Sequence, residues 1–421
     1  MKMGIKSLEV RLVQEPGRER VVGRLAEAGP RPASRQIFFE YDPAFLADPL
    51  WLSPFKLPPQ PGLLEHRDLA FGPIFGLFDD SLPDGWGLLL MDRFFTQQGL
   101  ALAEVSVLDR LAYLGTRTMG ALTYHPPADP TDHEALRLDL HAMARASQEV
   151  LRGTAKDVLP QLLRAGGSPG GARPKVLVGV SGEEILSGED DLPAGYTHWI
   201  VKLAARKDAP DAGPAELAYS RMAQEAGIAM PSTRLFETAQ GDRFFGAERF
   251  DRQGNRRFHV HTFGNLIHAN FRIPSCDYRQ LLEVTRILTK NHPDVLECYR
   301  RMTFNVLAHN RDDHVKNFAF RLTAEGSWTL APAYDLVFAS GPASEHTMTV
   351  AGEGRAPARS HLLKLADLAG ISGREVQEIL DEVAAAVARW RIHASDAGVG
   401  ARSVKAIEKS IEECLARVRL T

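Results

Sequence analysis

Cysteine is scarce in this chain: Cys276, Cys298 and Cys414 are far apart and odd in number among 421 residues. That argues against a disulfide framework and against a cysteine metal site. Charge of one sign is lacking too, since 50 basic and 53 acidic residues leave a formal net charge of −3. A surface so balanced does not favour non-specific binding to nucleic acid. Missing as well are an apolar run of membrane length and an opening secretory signal, so a cytoplasmic protein without membrane contact is expected. What remains, 44% hydrophobic and 24% charged residues, is the composition of a globular protein of two or three domains.

Alternating stretches at 8–12, 21–25 and 37–41 read as strands, and the Pro-rich 54–61 as a loop, so the chain opens with a small α/β unit. Asp84 stands where it would cap a helix running through Leu88, Met91, Phe94 and Phe95. Gly85 and Gly87 flank Trp86. Such a helix start can approach a phosphate, but close packing around the indole is the preferred reading. A further helix over 105–114 is closed by Gly115, and Pro126-Pro127-Ala128-Asp129-Pro130 marks a boundary.

Beyond it, Gly166-Gly167-Ser168-Pro169-Gly170-Gly171-Ala172-Arg173-Pro174-Lys175 runs into the apolar strand 176–180. Successive backbone N–H groups beside Arg173 and Lys175 suit a phosphate, although a flexible hairpin would have the same composition. The stretch is not a Walker loop, which ends in Gly-Lys-Ser/Thr and opens a helix. Residues 196–203 alternate, placing Tyr196, His198, Ile200 and Lys202 on one face. A lysine ending such a run either snorkels to solvent or meets an anion. Pro214 opens a helix to about 226, in which Glu216 is read as a first-turn acid rather than as a partner of Lys202. Strands at 233–236 and 243–251 follow. His259 and His261 share a strand face, without the further ligands a zinc site needs. From 277 onward the pattern is mainly that of core helices, at 278–291, 295–308, 362–369, 374–394 and 404–418.

The densest polar stretch is His309-Asn310-Arg311-Asp312-Asp313-His314-Val315-Lys316-Asn317, between a helix and the alternating strand 317–322. Rigid elements on both sides argue that these groups are not there for packing. Asp312 and Asn317 are five residues apart, the spacing by which protein kinases pair a catalytic base with a metal-binding amide. A second carboxylate must then approach, and Asp335 fits, just after the strand 328–331 and Pro332. Magnesium requires only one or two protein oxygens beside those of the phosphates. Turn-capping aspartates and a strand-edge asparagine would give the same short pattern, so this loop alone leaves both readings open.

Five segments in order, Gly-Ser-Pro-Gly-Gly-Ala-Arg-Pro-Lys, Thr-His-Trp-Ile-Val-Lys, Glu-Arg-Phe-Asp-Arg, Asn-Arg-Asp-Asp-His-Val-Lys-Asn-Phe and Ala-Pro-Ala-Tyr-Asp-Leu, resemble HipA-type serine/threonine kinases. These are the toxins of bacterial toxin–antitoxin pairs. The resemblance covers nearly the whole chain, including Leu-Pro-Asp-Gly-Trp-Gly near its start. It implies an α+β, protein-kinase-like, phosphatidylinositol-kinase-related fold of two lobes. An N-terminal α/β domain would occupy 1–128, a kinase N-lobe 129–252 and an all-helical C-lobe 253–421, with ATP and magnesium in the cleft between lobes.

By the same resemblance, Asp312 is the catalytic base, Asn317 and Asp335 hold magnesium, and Lys202 meets the phosphates. Gly170, Gly171, Ala172, Arg173, Pro174 and Lys175 form the phosphate loop, while Glu248, Arg249 and Phe250 border the adenine. His314, Val315 and Lys316 touch the nucleotide or brace the loop. Ser168 is the implied autophosphorylation site, here followed by Pro169. The implied partners are a HipB-like DNA-binding antitoxin and a protein substrate of translation, such as an aminoacyl-tRNA synthetase. No helix-turn-helix signature or basic recognition helix is present, so DNA would be reached only indirectly, through the antitoxin. Two other readings stay open: a catalytically silent nucleotide-binding subunit of a repressor complex, and a small-molecule phosphotransferase. The joint presence of Asp312, Asn317 and Asp335 favours an enzyme over the first, and the glycine loop weighs against the second.

Overall fold

The computed structural model describes residues 4–29, 35–128, 135–154, 160–166, 170–205 and 208–420. Ser168, with Gly167 and Pro169, lies outside them. The chain begins with β1 (Ser7–Glu15), β2 (Arg18–Ala28), β3 (Gln36–Tyr41), β4 (Leu63–Glu65) and β5 (Leu122–His125), an antiparallel sheet in the order β4-β3-β2-β1-β5. Period-two alternation turns Leu8, Val10 and Leu12 inward from β1, and Ile37, Phe39 and Tyr41 from β3. The helix Val107–Leu114 starts at a reciprocal cap between Ser106 and Asp109 and ends at Gly115. Gly115 has φ +56°, and a Cβ there would press on Pro127.

A second antiparallel sheet follows the boundary. It comprises β6 (Lys175–Ser181), β7 (Glu184–Ser187), β8 (Thr197–Lys202), β9 (Thr233–Glu237) and β10 (Arg243–Glu248), in the order β7-β6-β8-β10-β9. β6 is buried almost along its length, as its unbroken apolar run requires. The helix Gly85–Gln97, read from sequence with the first unit, places Trp86 and Leu90 in the core beneath this second sheet, with Val176, Val201 and Phe236. A hairpin, β11 (Arg252–Gln253) and β12 (Arg256–Arg257), leads out of the sheet.

The remainder is mainly helical: Tyr278–Thr289, His292–Leu307, Arg359–Leu368, Gly373–Ala388, Trp390–Asp396 and Ala401–Leu420. It is not all-helical, and that expectation is corrected. β13 (His259–Thr262), β14 (Ala319–Leu322) and β15 (Trp328–Leu330) form a sheet in the order β13-β14-β15, and the polar loop leads into its middle strand. β13 is polar and four residues long, so its sequence offers no apolar period to read. Among the described residues no helix is long and apolar enough to cross a membrane.

Where β10 leaves the second sheet, Asp251 is buried among Arg249, Arg252 and the amide of Gly120. Arg252 also donates to the carbonyls of Thr118 and Gly120, and Arg257 to that of Thr116. Burial alone would raise the Asp251 carboxyl, but the two guanidiniums outweigh it and hold the group well below the usual carboxylate range. The stability that this carboxylate contributes is therefore fully present above the ordinary aspartate range and is lost progressively as pH falls from there toward its depressed folded value. Asp251→Ala strands buried arginines without their counter-charge and is expected to cost about 3–5 kcal/mol. Urea unfolding of the two proteins at pH 7 measures this, and equal stability would contradict the account.

Candidate active site

The polar loop owes its shape to Asp313, not to Asp312. Asp313 is buried and accepts from the Tyr278 hydroxyl at 2.7 Å, His346 Nδ1 at 2.8 Å and the Thr347 amide at 2.8 Å. Asn305 donates to the same tyrosine oxygen and accepts from Asn310, so the end of the helix His292–Leu307 is tied into this network. Arg311 is fastened to the carbonyls of Ser344 and Arg355. With its neighbours held inward, Asp312 is left exposed. Removal of water by the surrounding walls raises its carboxyl above the ordinary value; His314 opposes this, and Asp335 and Asp313 add to it. The Asn317 amide nitrogen donates to the Asp312 carbonyl at 2.6 Å, which fixes the amide's orientation and leaves its oxygen as the remaining donor to a cation.

Asp335 arrives from the other side, past β15. The Ala333 amide bonds the Ala229 carbonyl and the Tyr334 hydroxyl donates to the Lys316 carbonyl at 2.6 Å, anchoring the turn on both flanks. Asp335 itself has φ +54°, a left-handed conformation that aspartate tolerates better than most side chains. Its carboxylate meets the ammonium of Lys202, which simultaneously meets Glu216 in the helix Ala212–Glu225. Glu216 is 2% exposed and also accepts from Arg173 at 3.1 Å. The first-turn reading of Glu216 is therefore corrected: it is the buried partner of two cations. Burial would lower the Lys202 ammonium, but Asp335 and Glu216 together raise it above its usual value. Burial would likewise raise Asp335, and Lys202 and Lys175 hold it below the carboxylate range.

Lys175 faces Lys202 directly across β6 and β8. Like charges so placed repel. Burial lowers the Lys175 ammonium, the nearby Lys202 lowers it further, and its nitrogen donates to the Gly170 carbonyl at 2.5 Å. Two opposed lysines meet here, Lys202 already paired with Glu216 and Asp335, and the cations of Lys175, Lys202 and Arg173 together suit a polyanion.

The other residues singled out from sequence divide. Phe250 stacks on Tyr334 with ring centroids 5.5 Å apart, beside Asp335. Glu248 is half-exposed, its amide given to the Ser232 carbonyl. Arg249 is not brought to the cleft: its guanidinium is committed to Asp251 and its amide to the His198 carbonyl. Val315 packs its side chain into the core against Gly264, so it offers no side chain to a ligand. Lys316 braces the loop, its ammonium 2.9 Å from Asp79 and 4.0 Å from Asp84. His314 accepts from the Lys316 amide and lies beside Phe271. Asp84 makes no cap bond to its helix, contrary to expectation, and accepts instead from the Gly171 amide. Trp86 is buried, as the packing reading of Gly-Trp-Gly expects.

The donor set fits a hard cation. Asp335 is ionised and the Asn317 oxygen is available, while among the described residues no cluster of three or more His, Cys, Asp or Glu could hold a metal alone. A magnesium ion here would depend on phosphate oxygens and water for its remaining ligands.

A five-stranded sheet carrying paired lysines, a buried glutamate on the adjoining helix and an Asp-x4-Asn loop on the facing lobe define a mixed α/β protein of the protein-kinase-like class. The chain belongs to the HipA family: residues 167–390 match the HipA-like C-terminal domain and residues 17–125 the HipA N-terminal domain. The HipA toxin of Shewanella oneidensis, solved with HipB and its operator DNA, superposes with a TM-score of 0.71 at 16% identity, covering 97% of this chain and 96% of that one. Y4dM of Sinorhizobium fredii, whose name carries the word kinase, is 28% identical over 154 residues. That match spans 33% of this chain and 37% of Y4dM.

Proposed function

We propose that this chain is an ATP- and magnesium-dependent serine/threonine protein kinase acting as a HipA-type toxin in the cytoplasm. The observation that carries the reading is the Lys202 ammonium joining Glu216 to Asp335, with Asp312 on the adjoining loop. Kinases use this set to grip the phosphates, seat the metal and receive the acceptor's proton.

Lys202 and Lys175 bind and orient the phosphate chain, and Glu216 holds Lys202 at the correct side of the sheet. Phe250 and Glu248 border the base. Asp312 accepts the proton of a serine or threonine hydroxyl as its oxygen bonds to the γ-phosphorus and the bond to the ADP oxygen breaks. Its pKa, raised by burial, lies closer to the pH at which it works than that of a free aspartate does. Magnesium, held through Asp335 and Asn317, supplies charge neutralisation on the phosphate oxygens.

The protein substrate is read as a component of translation such as an aminoacyl-tRNA synthetase, and the partner as a HipB-like antitoxin that alone touches DNA. Both readings rest on the family resemblance, and for the antitoxin on the complex in which the Shewanella protein was solved. Incubation with radioactive ATP tests the activity: label transferred by the wild type and not by Asp312→Asn supports it, and equal labelling overturns it. Ser168 is proposed as the self-phosphorylation site. Mass spectrometry of the purified protein is expected to find phosphate on the peptide containing it, and phosphate only elsewhere would remove that assignment.

A further inference from the structure

Residues 79–86, from the N-terminal part of the chain, contact both the polar loop and the glycine loop. Asp79 takes Lys316 of the polar loop at 2.9 Å and Asn265 at 2.9 Å. Asp80 takes His261, the Thr262 amide and hydroxyl, and Asn265. Asp84 occupies the N-cap position of the helix Gly85–Gln97, yet its carboxylate caps nothing there. An aspartate in that position ordinarily accepts from its own helix. This one reaches 87 residues along the sequence to the amide of Gly171.

The contact with the glycine loop is made from several sides. The Trp86 amide donates to the Gly171 carbonyl at 3.0 Å, and its indole donates to the Lys175 carbonyl at 3.2 Å. Gly85 has φ +45°, and a Cβ there would stand 2.6 Å from the Ala172 Cα, so the two backbones touch. Gly171 has φ +96° and Gly170 lies against the Asp84 carboxylate. Two adjacent glycines carry the largest conformational freedom a chain offers, and a loop built on them is disordered unless something outside holds it. The second Asp84 oxygen lies 4.0 Å from Lys316, which joins this hold to the catalytic loop.

We propose that Asp84 is a positioning residue for nucleotide binding: from the N-terminal domain it sets the conformation of residues 170–175 and couples that loop through Lys316 to the catalytic loop. The proposal rests on the glycine loop being the phosphate loop. A loop already ordered binds more tightly, because the ordering does not have to be achieved at the moment of binding. The N-terminal domain thus makes the phosphate site competent without itself touching the nucleotide.

Two measurements on the full chain test this. The first is the affinity for MgATP by calorimetry. Asp84→Ala is expected to weaken it about 10- to 100-fold, the scale of one hydrogen bond to a charged group. Asp84→Asn keeps an oxygen for the Gly171 amide and is expected to restore most of the affinity. The second, without nucleotide, is amide hydrogen exchange over residues 170–175, expected to accelerate in Asp84→Ala while exchange in the helical lobe is unchanged. A general loss of structure would not leave the helical lobe protected. If Asp84→Ala binds MgATP as well as the wild type, or more tightly, the proposal is overturned; tighter binding would make the carboxylate a competitor of phosphate. If Asp84→Ala does not fold, Asp84→Asn decides, since a tenfold loss with its amide oxygen in place contradicts the account. A wild type that binds no MgATP would sink the kinase reading instead, while the exchange data would still report whether Asp84 grips the loop.

Discussion

Asp312→Asn is expected to lower phosphoryl transfer by roughly 10²- to 10⁴-fold, the range general-base catalysis supplies, while MgATP affinity stays near that of the wild type. The asymmetry follows from where Asp312 sits. Its side chain is exposed, whereas the loop is held by Asp313 on Tyr278, His346 and Thr347, none of which the substitution touches. The Asn317 amide bonds the backbone carbonyl of residue 312, not its side chain, so the metal-binding amide also keeps its orientation. The pH dependence has a definite sign. Asp312 must be ionised to accept a proton, and its pKa is raised, so wild-type activity falls on acidification at a pH above the ordinary aspartate range. Asp312→Asn should lack that acidic limb. A residual activity with the same limb would assign it to another group.

How far the sequence reached is best judged on particular residues. Asp312, Asn317 and Lys202 were legible because each stands on a strong local pattern: a helix–loop–strand junction, a fixed spacing, the end of an alternating strand. Glu216 was misread because a first-turn acid and a buried partner of lysine have the same local signature, and only packing separates them. The role of Asp84 was hidden for a different reason. Its N-cap position was correct, but its partner Gly171 is distant in the chain, as is Asp79 from Lys316 across 237 residues. The adjacent acids Asp79 and Asp80 are a visible cluster, yet nothing local says that they face the catalytic loop. Arg249 and Val315 were carried to the nucleotide by their neighbours in sequence, and side-chain direction sent one to Asp251 and the other into the core. Of the C-terminal sheet, the strands at 317–322 and 328–331 were legible, but their pairing with β13 was not, because β13 lies far in sequence from its partner β14 and has no apolar period.

Asp335→Asn is expected to abolish magnesium-dependent nucleotide binding. Asparagine is the informative replacement, since residue 335 has φ +54° and alanine would add about 1–2 kcal/mol of backbone cost to the loss of charge. In Asp335→Asn, Lys202 keeps Glu216 but loses its second carboxylate, so part of the stability this trio contributes at neutral pH should be lost while the fold is kept. Lys202→Met is the contrasting case, because it leaves the buried Glu216 and the part-exposed Asp335 without the cation between them, with Arg173 remaining on Glu216 alone. The linkage then gives opposite pH signatures. Asp335 is depressed when folded, so its contribution is present above the unfolded carboxylate range and is lost as pH falls through its folded value. Lys202 is raised, so its contribution is complete below the unfolded lysine range and is lost only as pH rises through the higher folded value. Between those limits the wild-type pair is intact. In Lys202→Met less positive charge opposes the burial around Asp335, with Lys175 remaining, so its carboxyl moves up, and the deficit in stability relative to wild type should shrink as pH falls through the ordinary carboxylate range. Melting curves at several pH values, paired with MgATP titrations, separate the two roles. Binding lost in Asp335→Asn with the fold kept places the carboxylate on the metal, whereas unaltered MgATP binding would remove it from the site.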